Sequence, residues 1–225
     1  MLIYGKQPIY YLLEHAPQKI KTLYLAKELD KKEYSRLMRL GFEIKRIPAN
    51  AAQSMSKTGN HQGFLAEVEE IALSKVSEFK EKNFIVILSG MTDVGNIGAI
   101  VRSAYALGVD GIVVCGLKHL QLEPIVRSSS GALFDMPIAL QHNLYDVMND
   151  LKGAGFNHYG AVMDGADVRD LSFSTKRALI LGNESEGIAQ RAVRKLDFQV
   201  SIKMAHGFDS LNVSAAGAIL MDRMR

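Results

Sequence analysis

Apolar and polar positions along this chain follow two periods, and the change between them marks out elements. In the first 69 residues the elements are short. Gln7–His15 suits a helix and Thr22–Ala26 (TLYLA) a strand. Lys31–Leu40 spaces Tyr34, Leu37, Met38 and Leu40 as a helix does, and Gly41 ends it. Phe42–Ile47 (FEIKRI) alternates as a half-buried strand should, Gly59–Gly63 reads as a loop, and Phe64–Val68 as a returning strand. After residue 83 the α/β repeats become longer and richer in glycine. Strands are expected at Phe84–Leu88, Gly111–Cys115, Pro137–Leu140, His158–Val162, Ala178–Leu181 and Phe198–Ile202. Helices are expected at Ile97–Leu107, Leu144–Lys152, Ala189–Lys195 and Val213–Met224. Strands alternating with helices predict an α/β fold with a mostly parallel sheet covered on both faces. The division predicted is a small α/β domain over 1–70, a polar linker over 71–82, and a larger domain over 83–225, with a short surface helix as the alternative for the linker.

Composition narrows the class. Among 225 residues, 48% are hydrophobic and 23% charged, the balance of a globular chain. The longest apolar runs, such as Phe84–Leu88, cannot cross a bilayer. Met1–Tyr10 has no basic segment leading into an apolar one, so no secretory signal is expected and the cytoplasm is the expected location. One cysteine, Cys115, excludes an internal disulfide and a multi-cysteine zinc site, and no other metal-ligand cluster is visible. The net charge of +3 is unevenly spread. Residues 1–66 hold eleven Lys/Arg against five Asp/Glu, a surplus of six, whereas 83–225 hold thirteen against fourteen. A basic first third is either a solvated surface or a footprint for phosphates.

Ligands of open α/β sheets sit beyond the carboxyl ends of the strands, so three strand-to-helix loops are the candidates. They are SGMTDVGNIGAIVRSAYALG (89–108), GNESEGI (182–188) and KMAHGFDSLNVSAAGAILMDRM (203–224). None carries G-x-G-x-x-G, the G-K-[ST] of a phosphate loop or G-x-S-x-G, which argues against dehydrogenases, P-loop NTPases and α/β-hydrolases. Residue by residue, ordinary structural roles compete with chemical ones. Asn96 suits the cap of a helix starting near Ile97, Asp209 or Ser210 that of the last helix, and Glu184 and Glu186 complement a helix N-terminus. Arg102 is harder to explain as a surface residue. At helical spacing it forms a stripe with Gly98 and Tyr105, opposite Ile97, Ile100, Val101 and Ala104.

Together the three loops resemble the three motifs of the SpoU (TrmH-type) RNA ribose 2′-O-methyltransferases: N-x-G-x-x-x-R-x-A from Asn96 to Ala104, an apolar strand followed by G-x-E-x-x-G in LILGNESEGI, and S-L-N-V-S-x-A from Ser210 to Ala216. Residues 3–68, with YGKQPIYYLLE and HQGFLAEV, resemble the ribosomal-protein-L30e-like substrate domain of that family. By arrangement the chain resembles most the branch acting on a guanosine ribose of 23S rRNA. The resemblance implies a SPOUT-type parallel-sheet domain with a deep trefoil knot, S-adenosylmethionine as cofactor, RNA as partner and a homodimer through the knotted domain. It implies Arg102 as the central catalytic residue, with Asn96, Glu184, Ser210 and Asn212 around it, and cofactor contacts near Gly182, Ile202 and Leu211. Under it, Glu184 would fix the Arg102 guanidinium, and Asn96, Ser210 and Asn212 would bond Arg102 or the RNA phosphate. A guanidinium with a pKa above 12 is a poor base, so a clamp on the adjacent phosphate is the easier role. The alternatives are a tRNA ribose methyltransferase of the same family and a non-catalytic RNA-binding protein.

Overall fold

The computed structural model describes residues 1–57, 59–206 and 209–225. Its elements run β1 (Leu2–Tyr4), α1 (Lys6–His15), β2 (Ile20–Leu25), α2 (Lys31–Met38), β3 (Glu43–Arg46), α3 (Ala49–Met55), β4 (Phe64–Val68), β5 (Phe84–Ser89), α4 (Val94–Ala106), β6 (Gly111–Cys115) and α5 (Leu122–Ser128). They continue with β7 (Ile138–Gln141), α6 (Leu144–Gly153), β8 (Asn157–Asp167), β9 (Arg177–Gly182), α7 (Gln190–Val193), β10 (Phe198–Ser201) and α8 (Val213–Met224). The chain separates into two units, one of residues 1–72 with 121–134, the other of 73–120 with 135–225.

The first unit is a four-stranded sheet in the order β1-β4-β2-β3, with β4 antiparallel to both neighbours and β3 parallel to β2. Its core forms because α1 turns Ile9, Leu12 and Leu13 inward at helical spacing, and the sheet buries Leu23, Leu25 and Phe64 on one face and Leu65 on the other. The Asp30 carboxylate caps α2 by accepting from Glu33 N–H at 2.8 Å. Helix α5 joins this unit from far along the chain, burying Ile125 and Val126 and setting the Arg127 guanidinium 4.8 Å over the Tyr4 ring. Neither β1, α3 nor α5 is legible in the hydrophobic pattern. Three to seven residues are too few to show a period, and α5 carries Pro124 inside it.

The second unit is a six-stranded, all-parallel sheet ordered β10-β8-β9-β5-β6-β7. Strands β6 and β9 and residues 84–88 of β5 are buried almost throughout, which is why they read as unbroken apolar runs. Helix α8 packs on α4 and β9, and its approach requires Gly217, where a Cβ would lie 2.9 Å from the Leu181 side chain. The stretch expected to be a linker or a surface helix holds a short 3₁₀ turn, Val76–Phe79, whose end residues are buried in this unit's core, and Ser74 bridges to Ala139. Strand β8 runs five residues beyond Val162, the end the apolar pattern predicts. Its distal part bears the 73% exposed Met163, and the pairing with β10 shifts register at Gln199/Val200.

At the amino end of β8, His158 is buried, its Nδ1 3.6 Å from Asp197 Oδ2 and its Nε2 without a hydrogen-bond partner among the described residues. Burial lowers its pKa, outweighing the pull of Asp197. A folded pKa below the unfolded value gives stability that is present above about pH 6.5 and lost as pH falls below it. Thermal melting between pH 7.5 and 5 is expected to show this loss, and His158→Leu is expected to flatten it. An unchanged pH profile in the variant would contradict the assignment.

Candidate active site

Topology chooses the site. From β5 the chain steps outward through β6 to β7, then returns to the other side of β5 to lay down β8, β9 and β10, so the strand order reverses between β5 and β9. Crevices beyond the carboxyl ends of strands open at such a switch point. Ser89 and Gly182, the last residues of β5 and β9, are paired there, and the first two motif loops begin at those ends.

Each loop is built to deliver side chains. Asp93 caps α4 by accepting from Asn96 N–H at 2.6 Å, which leaves the Asn96 side chain available on the first turn. The cap that the sequence suggests for Asn96 therefore belongs to Asp93. The second loop folds back on itself. Asn183 Oδ1 accepts from the N–H groups of Ser185 and Glu186, and Gly187 N–H donates to the Asn183 carbonyl at 3.0 Å. A Cβ on Gly182 would lie 2.1 Å from the Gly187 carbonyl carbon, so only glycine fits beneath this turn. In the third loop Asn212, rather than Asp209 or Ser210, caps α8, its Oδ1 accepting from Ser214 N–H at 2.9 Å.

These three loops meet in a triangle of amides around one carboxylate oxygen. Glu184 Oε1 accepts from Asn96 Nδ2 at 3.1 Å and from Asn212 Nδ2 at 2.9 Å, and Asn212 Nδ2 also reaches Asn96 Oδ1 at 3.0 Å. Residues 88 and 116 positions from Asn96 are thereby held together by side-chain hydrogen bonds open to solvent. Arg102 projects from the third turn of α4 to solvent, with no hydrogen bond or ion pair among the described residues. The contact between Glu184 and Arg102 implied by the resemblance is not formed here, because Glu184 is engaged by the two asparagines. Ser210 is exposed without a described contact, and Gly207 and Phe208 of its loop lie outside the described residues.

The residues expected near a cofactor divide by burial. Gly182 is buried, and the exposed backbone is that of 184–187 just beyond it. Ile202 is half-buried, and Leu211 is 37% exposed beside Asn212. An open apolar side chain next to exposed loop backbone fits a heteroaromatic ring with a hydrogen-bonding edge. A carboxylate bonded only by neutral amides fits a nearby positive charge. Both are features of S-adenosylmethionine. Cys115 ends β6 close by, but burial pushes its thiol up to about 12, so it supplies no thiolate nucleophile. Among the described residues no group of three His, Cys, Asp or Glu side chains could hold a metal ion, and no helix is long and apolar enough to cross a membrane.

Residues 83–222 match the family model of the SpoU rRNA methylase family, and residues 2–73 match that of RNA 2′-O ribose methyltransferase substrate binding. The chain is 30% identical to the 23S rRNA (guanosine-2′-O-)-methyltransferase RlmB of Pseudomonas putida, over 99% of this chain and 95% of that protein. It is similar to the crystal structure of the SpoU methyltransferase AviRb from Streptomyces viridochromogenes in complex with AdoMet. There the TM-score is 0.80 at 28% identity, covering 99% of this chain and 88% of that one. The TrmH/SpoU tRNA modifying enzyme of A. aeolicus shares the fold over 66% of this chain and 79% of its own, with a TM-score of 0.57 at 24% identity.

Proposed function

The chain belongs to the SpoU rRNA methylase family, an S-adenosylmethionine-dependent RNA ribose 2′-O-methyltransferase, and on that premise we propose that its substrate is a guanosine of 23S rRNA. The observation that carries the chemistry is the triangle of Asn96, Glu184 and Asn212 at the switch point, with Arg102 uncommitted on the same helix as Asn96. The choice of rRNA over tRNA is supported by coverage. The Pseudomonas putida 23S enzyme aligns over 99% of the chain, including the substrate-binding region at residues 2–73.

In the mechanism we derive, the backbone of 184–187, Ile202 and Leu211 would hold the cofactor. When bound, S-adenosylmethionine supplies a methyl group on an electrophilic sulfonium. Glu184, anchored by two amides, places negative charge beside that site and keeps the three loops in register. Arg102 clamps the phosphate next to the target ribose through two N–H groups, which fixes the 2′-hydroxyl in line for attack. Ser210, exposed on the third loop, would hydrogen-bond the same hydroxyl as it loses its proton to solvent, and Asn96 would join it by releasing its bonds to Glu184 and Asn212. Because Arg102 needs only to orient and polarise, its permanent charge suits the task.

The trefoil knot and the homodimer belong to this reading. After β10 at the sheet edge the chain returns to pack α8 on α4 and β9, the path a terminal crossing takes. Tyr105 on α4 and Ile219 on α8 are each 40% exposed on this helix pair, an apolar surface suited to a two-fold contact. Sedimentation at micromolar concentration is expected to give twice 24.8 kDa, and Ile219→Lys to give the monomer. A wild-type protein that sediments only as monomer would remove this part of the reading. The substrate itself is tested by mapping 2′-O-methyl positions in rRNA and tRNA from cells with and without the protein. Loss of one 23S guanosine mark is expected, and loss of a tRNA mark instead would overturn the choice.

A further inference from the structure

Beyond the site already described, the carboxyl edge of the sheet continues across β5, β6 and β7, and there it has a floor without side chains. Gly90 follows β5 and Gly116 follows β6, with φ of 65° and 88°, a conformation that favours glycine. Their backbones step over one another. Gly90 N–H donates to the Cys115 carbonyl at 3.0 Å, and Gly116 N–H donates to the Gln141 carbonyl at 3.1 Å. A Cβ on Gly116 would lie 3.6 Å from Gly90 Cα, and a Cβ on Gly90 would lie 3.2 Å from Asn183 Nδ2. A path over a ledge of bare backbone at the ends of β5 and β6 thus leads from the Glu184 loop to the end of β7, about 14 Å at three strand spacings.

Charge differs between the two halves of this edge. The β8, β9 and β10 side carries exposed Asp164, Glu184, Glu186 and Asp209. Lys203 and Arg169 lie there too, the latter already bound to Asp167. The β6 and β7 side displays Lys118, His119 and His142, all exposed, and the first acids after these loops are Glu123 and Asp146, in the first turns of α5 and α6. A sulfonium cation belongs on the first half and a polyanion on the second.

We propose that the nucleotide flanking the target ribose lies on this glycine ledge, with its phosphates held by Lys118, His119 and His142. The proposal rests on the RNA methyltransferase reading and adds the path of the substrate strand. Backbone without side chains lets a ribose approach closely, and the three exposed rim side chains are hydrogen-bond donors on the same edge. Such contacts position RNA without reading its bases.

The test uses the full-length triple variant K118Q/H119Q/H142Q and its parent. An unmodified 23S rRNA transcript serves for kinetics, and a fluorescein-labelled single-stranded 20-mer for binding. The expected result is a KM for the transcript raised about five-fold or more, with kcat within about two-fold and cofactor affinity unchanged. The slope of log affinity against log salt should become shallower by about 0.7, since Lys118 is the one standing cation of the three and each phosphate that a single strand no longer has neutralised removes roughly that much. Wild-type KM and salt slope in the variant would overturn the proposal, as would a fall in kcat alone. Should the triple variant fold poorly, K118Q alone carries the test, with a slope change of about 0.7. A parent protein that binds the 20-mer but methylates no RNA would overturn the methyltransferase reading, while the slope comparison still judges the ledge.

Discussion

Arg102→Ala is expected to reduce methyl transfer by about a thousand-fold or more, roughly 4 kcal/mol of transition-state stabilisation, while cofactor affinity stays near wild type. The separation follows from the architecture. Arg102 leaves α4 toward solvent with its guanidinium uncommitted among the described residues, whereas the groups suited to the cofactor belong to the loops after β9 and β10. Removing the side chain therefore takes away a grip on RNA without loosening the triangle that ties the loops together. Arg102→Lys should recover only part of the rate, since an ammonium is a point charge and cannot hold a phosphate through two parallel N–H groups. Single-turnover kinetics with saturating cofactor, alongside calorimetric titration of the cofactor, separate the two effects. A variant that keeps more than about a tenth of wild-type kcat loses under ~1.4 kcal/mol, and Arg102 would then not be the central residue.

Variants in the triangle should behave differently, and the reason bears on what a sequence can disclose. The three motif loops are visible because each joins a strand to a helix and carries polar residues a core helix does not need. Their meeting is not visible. Asn96, Glu184 and Asn212 are far apart in the chain, and nothing local in any of them indicates which partner its amide or carboxylate finds. Asn212 does two things at once, its Oδ1 capping α8 and its Nδ2 joining Glu184, whereas the local pattern favours Asp209 or Ser210 for the cap. Helix α5 is hidden for the same reason. Ile125 and Val126 fill a core most of whose other members lie more than fifty residues earlier, so its place follows from packing and not from propensity. Buried central strands are the opposite case. Residues 84–88 and 178–181 lie between two layers of helices, and burial on both faces imposes an apolar run that is read without any partner.

Neutralising the basic surface of the first unit is expected to have the second large effect, on RNA affinity and its dependence on salt. Six exposed cations are carried there: Lys31, Lys32 and Arg36 on α2, Arg39 at its end, and Lys45 and Arg46 on β3, the edge strand of the sheet. Arg46 sits 4.8 Å over the ring of Tyr34 on α2, which ties the helix to the strand edge, whereas its neighbour Lys45 faces the other side of the sheet. Lys45 is partly neutralised by Glu43 at 3.0 Å, so the informative substitutions are Lys32, Arg36, Arg39 and Arg46 to Gln. Deleting the whole domain would be a poorer experiment, because residues 121–134 belong to the same unit and would lose the core that buries Ile125 and Val126. If each of the four cations meets a phosphate, their removal makes the salt slope shallower by about three, at roughly 0.7 per phosphate. Affinity for a 23S rRNA fragment at low salt should then fall more than about ten-fold, by the same counterion argument. Cofactor binding, and kcat at saturating RNA, should stay near wild type, because the catalytic loops all lie in the other unit. The bland alternative is that these side chains only solvate a small domain and RNA is gripped at the catalytic edge alone. In that case the quadruple variant would bind the fragment with the affinity and salt slope of the parent protein, and this surface would not be the one that recruits RNA.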